Sequence, residues 1–380
     1  MVTKAPSGDR VRRLLALVLV VPVVVLFAMV WRSVGDQADF AHLERDGVRY
    51  IQALVPLEIA LTNAQSAAVG GNPVTGEPLA RAVDSVTTVD RELGSRLRTQ
   101  DRWSGLRAKI EALPTSGAGA GVIAAYGGVN DLLLALIDKV RNNSKLIRDP
   151  DADSYYLGDG AAQELPEGII AAAGYTDLLV STAGQSAGDR AKALVDINSA
   201  RSDLVSNAHD LSDDVRLAVE GTGSRSLGGA LLSKLDRFNR AIDNLVPLMS
   251  PVLSGQGTVD VAQVVRARGE MQSAAADLSA SLLAQIDIAL RDRLSSLSQR
   301  RLIALGTLAL SVLLALVPIG LGLASRPRRP AAPAARPAPT PAHQAAPPPR
   351  EPVPARWPPA RPAEASSPEY AGWERYGAPR

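Results

Sequence analysis

Two uninterrupted apolar runs constrain this chain more than any other feature. Leu14 to Val30 (LLALVLVVPVVVLFAMV) and Leu302 to Ala324 (LIALGTLALSVLLALVPIGLGLA) contain no charged side chain. At the helical rise of about 1.5 Å per residue, each reaches across most or all of a hydrocarbon core of about 30 Å. An uncharged run longer than about 18 residues favours a membrane span over a buried core helix. Pro22 inside the first run is tolerable in a membrane helix. A cleaved signal peptide is the competing reading of that run. However, VWRSVGDQADFAHLERDG reads on as helix without a small-x-small break, which favours an uncleaved anchor.

The charges assign a side to each segment. The overall formal charge of +2 is a sum over three unlike blocks. Residues 1–13 carry Lys4, Arg10, Arg12 and Arg13 against Asp9, a net +3; residues 326–380 carry nine Arg against four Glu, a net +5; the middle is left with −6. Basic residues next to apolar spans stay on the cytoplasmic side. The expected organisation is therefore a basic cytoplasmic N-terminus (1–13), a first transmembrane helix (14–31), an extracytoplasmic domain (32–301), a second transmembrane helix (302–324) and a cytoplasmic tail (325–380). Arg300 and Arg301 dissent, because they flank the second span on its outer side.

The middle reads as helix throughout. Met271, Ala275, Leu278, Leu282, Ile286, Leu290, Leu294 and Leu297 recur at three- and four-residue steps into the second apolar run, which predicts one continuous rod. A matching rod runs from Trp31 through Tyr50, Ile51, Leu54, Leu57 and Leu61 to Gly70-Gly71-Asn72-Pro73, with Pro56 expected to kink it. Further helices are expected from Pro78 to Leu113-Pro114, with Gln100 as the place for a break, through Leu132 and Val140 to a stop at Arg148-Asp149-Pro150, from Asp153 as a cap towards Gly184, and over about 187–220, 226–253 and 260–301. Strand-like alternation is missing. The fold class is all-α, a two-span membrane protein with a long-helix antiparallel bundle ectodomain. The number of rods suggests two bundles.

Composition narrows the chemistry. The chain has no cysteine and three histidines, which removes disulfides, zinc–thiolate sites and thiol catalysis, and argues against a multi-histidine centre. Neither a nucleophile elbow nor a phosphate loop occurs. No enzyme activity, cofactor or metal is expected, and no nucleic-acid partner.

Several stretches resemble the ligand-sensing region of bacterial methyl-accepting chemotaxis receptors and related membrane sensor kinases. They are Asp149-Pro150-Asp151-Ala152-Asp153-Ser154-Tyr155-Tyr156-Leu157 followed by Leu165-Pro166-Glu167, then Gly47 to Leu57 (GVRYIQALVPL), and Arg102-Trp103 with Leu106. Taken in order they cover most of residues 1–325. The resemblance implies a membrane-anchored, helical, extracytoplasmic sensor that dimerises. Related first helices often end with an Arg-Gly pair, where this chain reads Asn63-Ala64-Gln65-Ser66-Ala67. After Ala324 there is neither a methylatable coiled coil nor a kinase domain in the remaining sequence, so output would need a separate protein.

Candidate site residues follow. Asp149, Asp151 and Asp153 alternate as calcium-loop ligands do, but Ser154 and Gly160 stand where such a loop wants Gly and Glu. A turn with a helix N-cap explains the acids more simply. Tyr155 and Tyr156 point about 100° apart on a helix, so one faces the core and the other is free to line a cleft. Asn142, Asn143 and Arg148 approach from the preceding helix, and Arg49 with Tyr50 from the first rod. Either arginine suits a small anionic ligand through charge-assisted hydrogen bonds. Packing with solvated arginines is the plainer alternative.

The tail holds sixteen of the 27 prolines and is expected to be disordered with polyproline-II character. Its aromatic cluster, Trp357, Tyr370, Trp373 and Tyr376, fits a docking peptide for a cytoplasmic signalling protein. Arginines touching anionic lipid are the alternative. The sequence therefore supports two functions. One is a homodimeric sensor that binds an unknown small molecule or partner and signals through the tail; the other is a non-sensing envelope scaffold. Both take the lipid bilayer as a partner.

Overall fold

In the computed structural model, the described residues are 7–115, 120–149, 151–221, 225–254 and 258–324. The tail aromatics Trp357, Tyr370, Trp373 and Tyr376, together with Pro150 and much of the Thr115–Gly121 loop, lie outside them. Every regular element among the described residues is helical. In order these are α1 (Ser7–Val69), α2 (Gly76–Leu97), α3 (Gln100–Glu111), α4 (Ala120–Asn143), a 3-10 turn (Leu146–Arg148), α5 (Ala152–Asp159), a π-helical turn (Gly160–Glu164), α6 (Leu165–Thr182), α7 (Ala187–Gly221), α8 (Arg225–Leu245), a second 3-10 turn (Val246–Met249), α9 (Ser250–Ser254) and α10 (Val261–Ala324).

Helices α1 and α10 frame the rest. They run antiparallel, as Arg45 meets Asp287 and Thr62 meets Gln272. Each carries one of the long apolar runs without a break, and α1 continues through Pro22 and Pro56. Along α1 a strict three–four spacing, Ala41, Glu44, Val48, Ile51, Val55, Glu58, Thr62, Gln65 and Val69, forms the seam that faces the other helices; all but Val55 are buried. Such a seam keeps one stripe inward over many turns. α1 ends in a Schellman motif, with Gly71 at φ +69° and Asn72 N–H bonded to Ala67 O at 2.8 Å. Gly47 lets the α4 end approach, since a Cβ there would collide with Ser144.

Helices α2, α4 and α6 pack on α1, α6 and α8 on α10, and α7 on α5, α6 and α8. Where the number of rods suggests two bundles, the buried apolar side chains form one connected core. The physical reason is that α1 and α10 extend its full length and contribute to every part of it.

Outside this core, many of the described residues of the apolar runs are exposed. Val18, Val21, Val24, Val25, Leu26, Met29 and Val30 of α1 are exposed, as are Leu302, Ile303, Leu305, Leu310, Leu313 and Leu314 of α10. Three helical stretches, Val20–Val69, Gly121–Asn143 and Val261–Val317, are long and apolar enough to cross a membrane. In the second of these, Val122, Tyr126, Val129, Leu133, Leu136 and Val140 form a buried stripe of the core. Where the two exposed runs begin, the Arg301 guanidinium lies over the Trp31 ring, 5.3 Å from its centroid. Its charge finds an aromatic partner there.

Candidate functional site

At the end of the core farthest from the apolar runs, α1, α4, α6, α7 and α10 surround a cavity of about 840 Å³. About 34 helical residues separate Arg268 from Leu302, or roughly 50 Å at 1.5 Å per residue. Asn63, Ser66 and Asn72 come from the end of α1 and its cap, Asp177 and Ser181 from α6, Asp196 from α7, and Val261, Val265 and Arg268 from the start of α10.

The polar floor of this cavity is a network. Asp177 is 1% exposed. It accepts hydrogen bonds from Gln65 Nε2 at 2.8 Å and from Ser66 Oγ at 2.5 Å, and Asn130 Nδ2 in turn donates to Gln65 Oε1 at 2.8 Å. Burial pushes the Asp177 carboxyl up to about 6, against the lowering effect of Ser66, Gln65 and Arg268. Arg268 stands 3.6 Å from Asp177, with its side chain only 13% exposed. That separation is an ion pair without a hydrogen bond, and Arg268 Nε, also buried, has no partner. A largely buried guanidinium short of acceptors has hydrogen-bonding capacity to spare for an anionic oxygen.

A second polar node lies at the other end of the core. Arg293 of α10 donates to Glu44 Oε2 of α1 at 3.0 Å, and to Asp149 Oδ1 and Asp151 Oδ2 at 2.5 Å each. It borders a cavity of about 640 Å³ lined also by Arg32, Asp36, Phe40 and Arg148, directly beside the exposed run of α1. Burial, then repulsion from Asp149, pushes Glu44 up to about 9, so at neutral pH it is protonated.

The predicted ligand residues do not converge on one site. Arg148 lines the cavity beside Arg293, and the other six do not. Arg49 pairs with Glu92 at 2.9 Å with both side chains about half exposed. Tyr50 is fully buried, which holds its phenol well above the usual range, and it donates to Asp90 Oδ1 at 2.8 Å. Asn142 turns back onto Asp138 of its own helix. The N-cap position of α5 belongs to Asp151, whereas Asp153 accepts from the next residue's N–H at 2.9 Å. Tyr155 and Tyr156 stack edge-on, 5.3 Å apart, and both are half-buried. The alternating acids are explained by Arg293, which takes two of the three.

No family model, curated protein or solved structure matches the chain. The functional reading therefore rests on geometry alone. The residues that sequence reasoning missed share one signal: Glu44, Glu58 and Gln65 occupy the apolar seam of α1, and Arg268 lies in the Val264, Ala267, Met271, Ala275 stripe of α10.

Proposed function

We propose that this chain is a membrane-anchored sensor-like protein that binds a small anionic solute in the cavity around Arg268 and Asp177. The change would pass along α1 and α10 to a separate signalling partner. One observation carries this reading. The two helices that contribute Asn63, Ser66, Val265 and Arg268 to the cavity are the same two that continue, unbroken, into the exposed apolar runs. A displacement at one end is thus covalently continuous with the other, and packed helices shift as units between alternative arrangements.

In this reading α1 and α10 each cross the bilayer once, both termini are cytoplasmic, and the helical bundle between them is an extracytoplasmic domain that dimerises. α4 remains in the core, because its apolar stripe is already covered. The proline-rich tail would be the docking segment. The solute would give Arg268 the acceptor that it lacks, with Ser66, Ser181 and Asn63 offering further hydrogen bonds.

The test is a thermal-shift screen of the purified full-length protein in nanodiscs against carboxylates, amino acids and inorganic anions. At about 100 times its Kd, a true ligand stabilises by roughly 2.7 kcal/mol. At least one compound should raise Tm in the wild type, and Arg268→Gln should remove that rise while keeping the helical far-UV signal. If no compound acts, or if Arg268→Gln responds like the wild type, small-anion sensing in this cavity is wrong.

A further inference from the structure

We infer that Asp159, Glu164 and Asp214 form a binding site for a hard divalent cation, with Ca²⁺ as the probe. The site lies between the α5–α6 rod and α7, and is separate from the cavity around Arg268.

The local backbone creates it. Pro166 has no N–H and its ring crowds the carbonyl four residues back, so a regular helix is disfavoured just there. The chain responds with a π-helical turn, in which Leu165 N–H reaches Gly160 O. In an α-helix, residues five apart stand roughly 140° around the axis from one another. The wider turn brings Asp159 and Glu164 to one side instead. Gly160 then lets α7 come close, since a Cβ there would lie 3.1 Å from Leu211 Cδ1 and 3.7 Å from Asp214 Cβ. As a result one carboxylate oxygen from each of the three residues lies within 4.8 Å of the others.

Acidic residues often gather on surfaces without a ligand, so the decisive observation is Glu164. It is 9% exposed, and among the described residues it makes neither a hydrogen bond nor an ion pair, yet its carboxylate is aimed at the other two. Glu167, Asp210 and Asp213 add further negative charge around the group. Arg141 donates through one guanidinium nitrogen to both Asp159 Oδ1, at 2.6 Å, and Gln163 Oε1, and among the described residues no cation pairs with Glu164 or Asp214. Burial first, and then repulsion from their neighbours, pushes both up to about 7.

Three carboxylates are hard oxygen donors of the kind that bind Ca²⁺ at about 2.4 Å and Mg²⁺ at about 2.1 Å. Water would complete the coordination from the solvent side of Asp159 and Asp214, both only half-buried. A bound ion would clamp α7 to the π turn. The backbone bonding there is irregular, and the clamp would stiffen the stretch between the Arg293 node and the distal cavity.

The experiment uses the full-length protein in nanodiscs after chelator treatment, titrated with CaCl₂ by calorimetry and followed in parallel by thermal melting. The wild type should show saturable binding and a Tm rise of roughly 5 °C at saturation. Glu164→Gln and Asp214→Asn should each weaken Ca²⁺ binding at least tenfold and lose the Tm rise. Asp84→Asn, an exposed carboxylate on α2, should behave as the wild type. Without the ion, Glu164→Gln should melt no lower than the wild type, because it relieves repulsion; this separates lost binding from lost folding. The absence of saturable Ca²⁺ binding in the wild type, or unchanged affinity in both variants, would overturn the site. Neither result bears on the anion cavity, whose test uses other ligands and Arg268.

Discussion

Replacing Arg293 with Ala should destabilise the protein by about 3–5 kcal/mol, the loss typical when one partner of a buried ion pair is removed. Arg293 is the cation that faces Glu44, Asp149 and Asp151 together. The side chains of Glu44 and Asp149 are 0% and 1% exposed, and the protonated Glu44 carboxyl also hydrogen-bonds to Asp149. Without Arg293, the Asp149 charge would stay buried with no counterion. A fall in Tm on the order of 10 °C is expected for a domain of this size. Adding Asp149→Asn to Arg293→Ala should restore part of it, because the stranded charge is then removed. Melting curves of the two variants against the wild type decide this; a single variant as stable as the wild type would show that the node carries no load. The node also pins α10 to α1 just before both enter their apolar runs, so its loss should loosen the two helices relative to each other there.

Glu58→Met should do the opposite and stabilise the protein, by about 2 kcal/mol at pH 7 and by more at higher pH. Glu58 is 0% exposed and neither of its carboxylate oxygens has a hydrogen-bond partner. Burial holds its carboxyl well above the usual range. Methionine removes an unsatisfied polar group from the seam at nearly constant volume. The pH dependence follows from the same shift. In the unfolded chain Glu58 and Glu44 ionise near 4.5; in the folded protein both hold their protons to higher pH, Glu44 to about 9. The native state therefore binds more protons than the unfolded state across that interval, and stability falls as pH rises through it, by up to about 1.4 kcal/mol per pH unit for each group. The stabilising contribution is complete below pH 4.5 and lost as each folded-state value is passed. Denaturant titrations at pH 5.5, 7 and 8.5 should show this decline in the wild type and a shallower one in Glu58→Met. A wild-type stability that rises over that range would contradict the assignment of Glu44 and Glu58 as buried neutral acids.

Much of the architecture was legible because it is local. The apolar runs, the three–four spacing of α10 and the Gly70-Gly71 stop each involve neighbours in sequence, and the helices begin and end close to where those signals place them. The site was not legible, for two reasons. Asp149 and Asp151 read as a turn and cap since their partner, Arg293, lies 142 residues or more away. The distal cavity is assembled from α1, α4, α6, α7 and α10, and its polar members each look like ordinary helix-surface residues until the seam is drawn. The π turn was likewise hidden: Leu165-Pro166-Glu167 was visible as a motif, but that the chain widens rather than breaks at Pro166 depends on α7 packing against Gly160. The usable clue was a charge placed where the period demands an apolar residue, as at Glu44, Glu58 and Arg268.

The most direct measurement of coupling between the cavity and the apolar runs uses the absence of native cysteine. Spin labels at Ser33→Cys and Ser298→Cys, both exposed, sit on α1 and α10 beside Trp31 and Arg301. The interspin distance is read in nanodiscs with and without the compound that most raises Tm in the screen. A shift in the distance distribution on saturation, absent when Arg268→Gln is added, is the result expected if the two helices carry a signal from the cavity. An unchanged distribution at saturating ligand would contradict that coupling and leave the bundle as a scaffold.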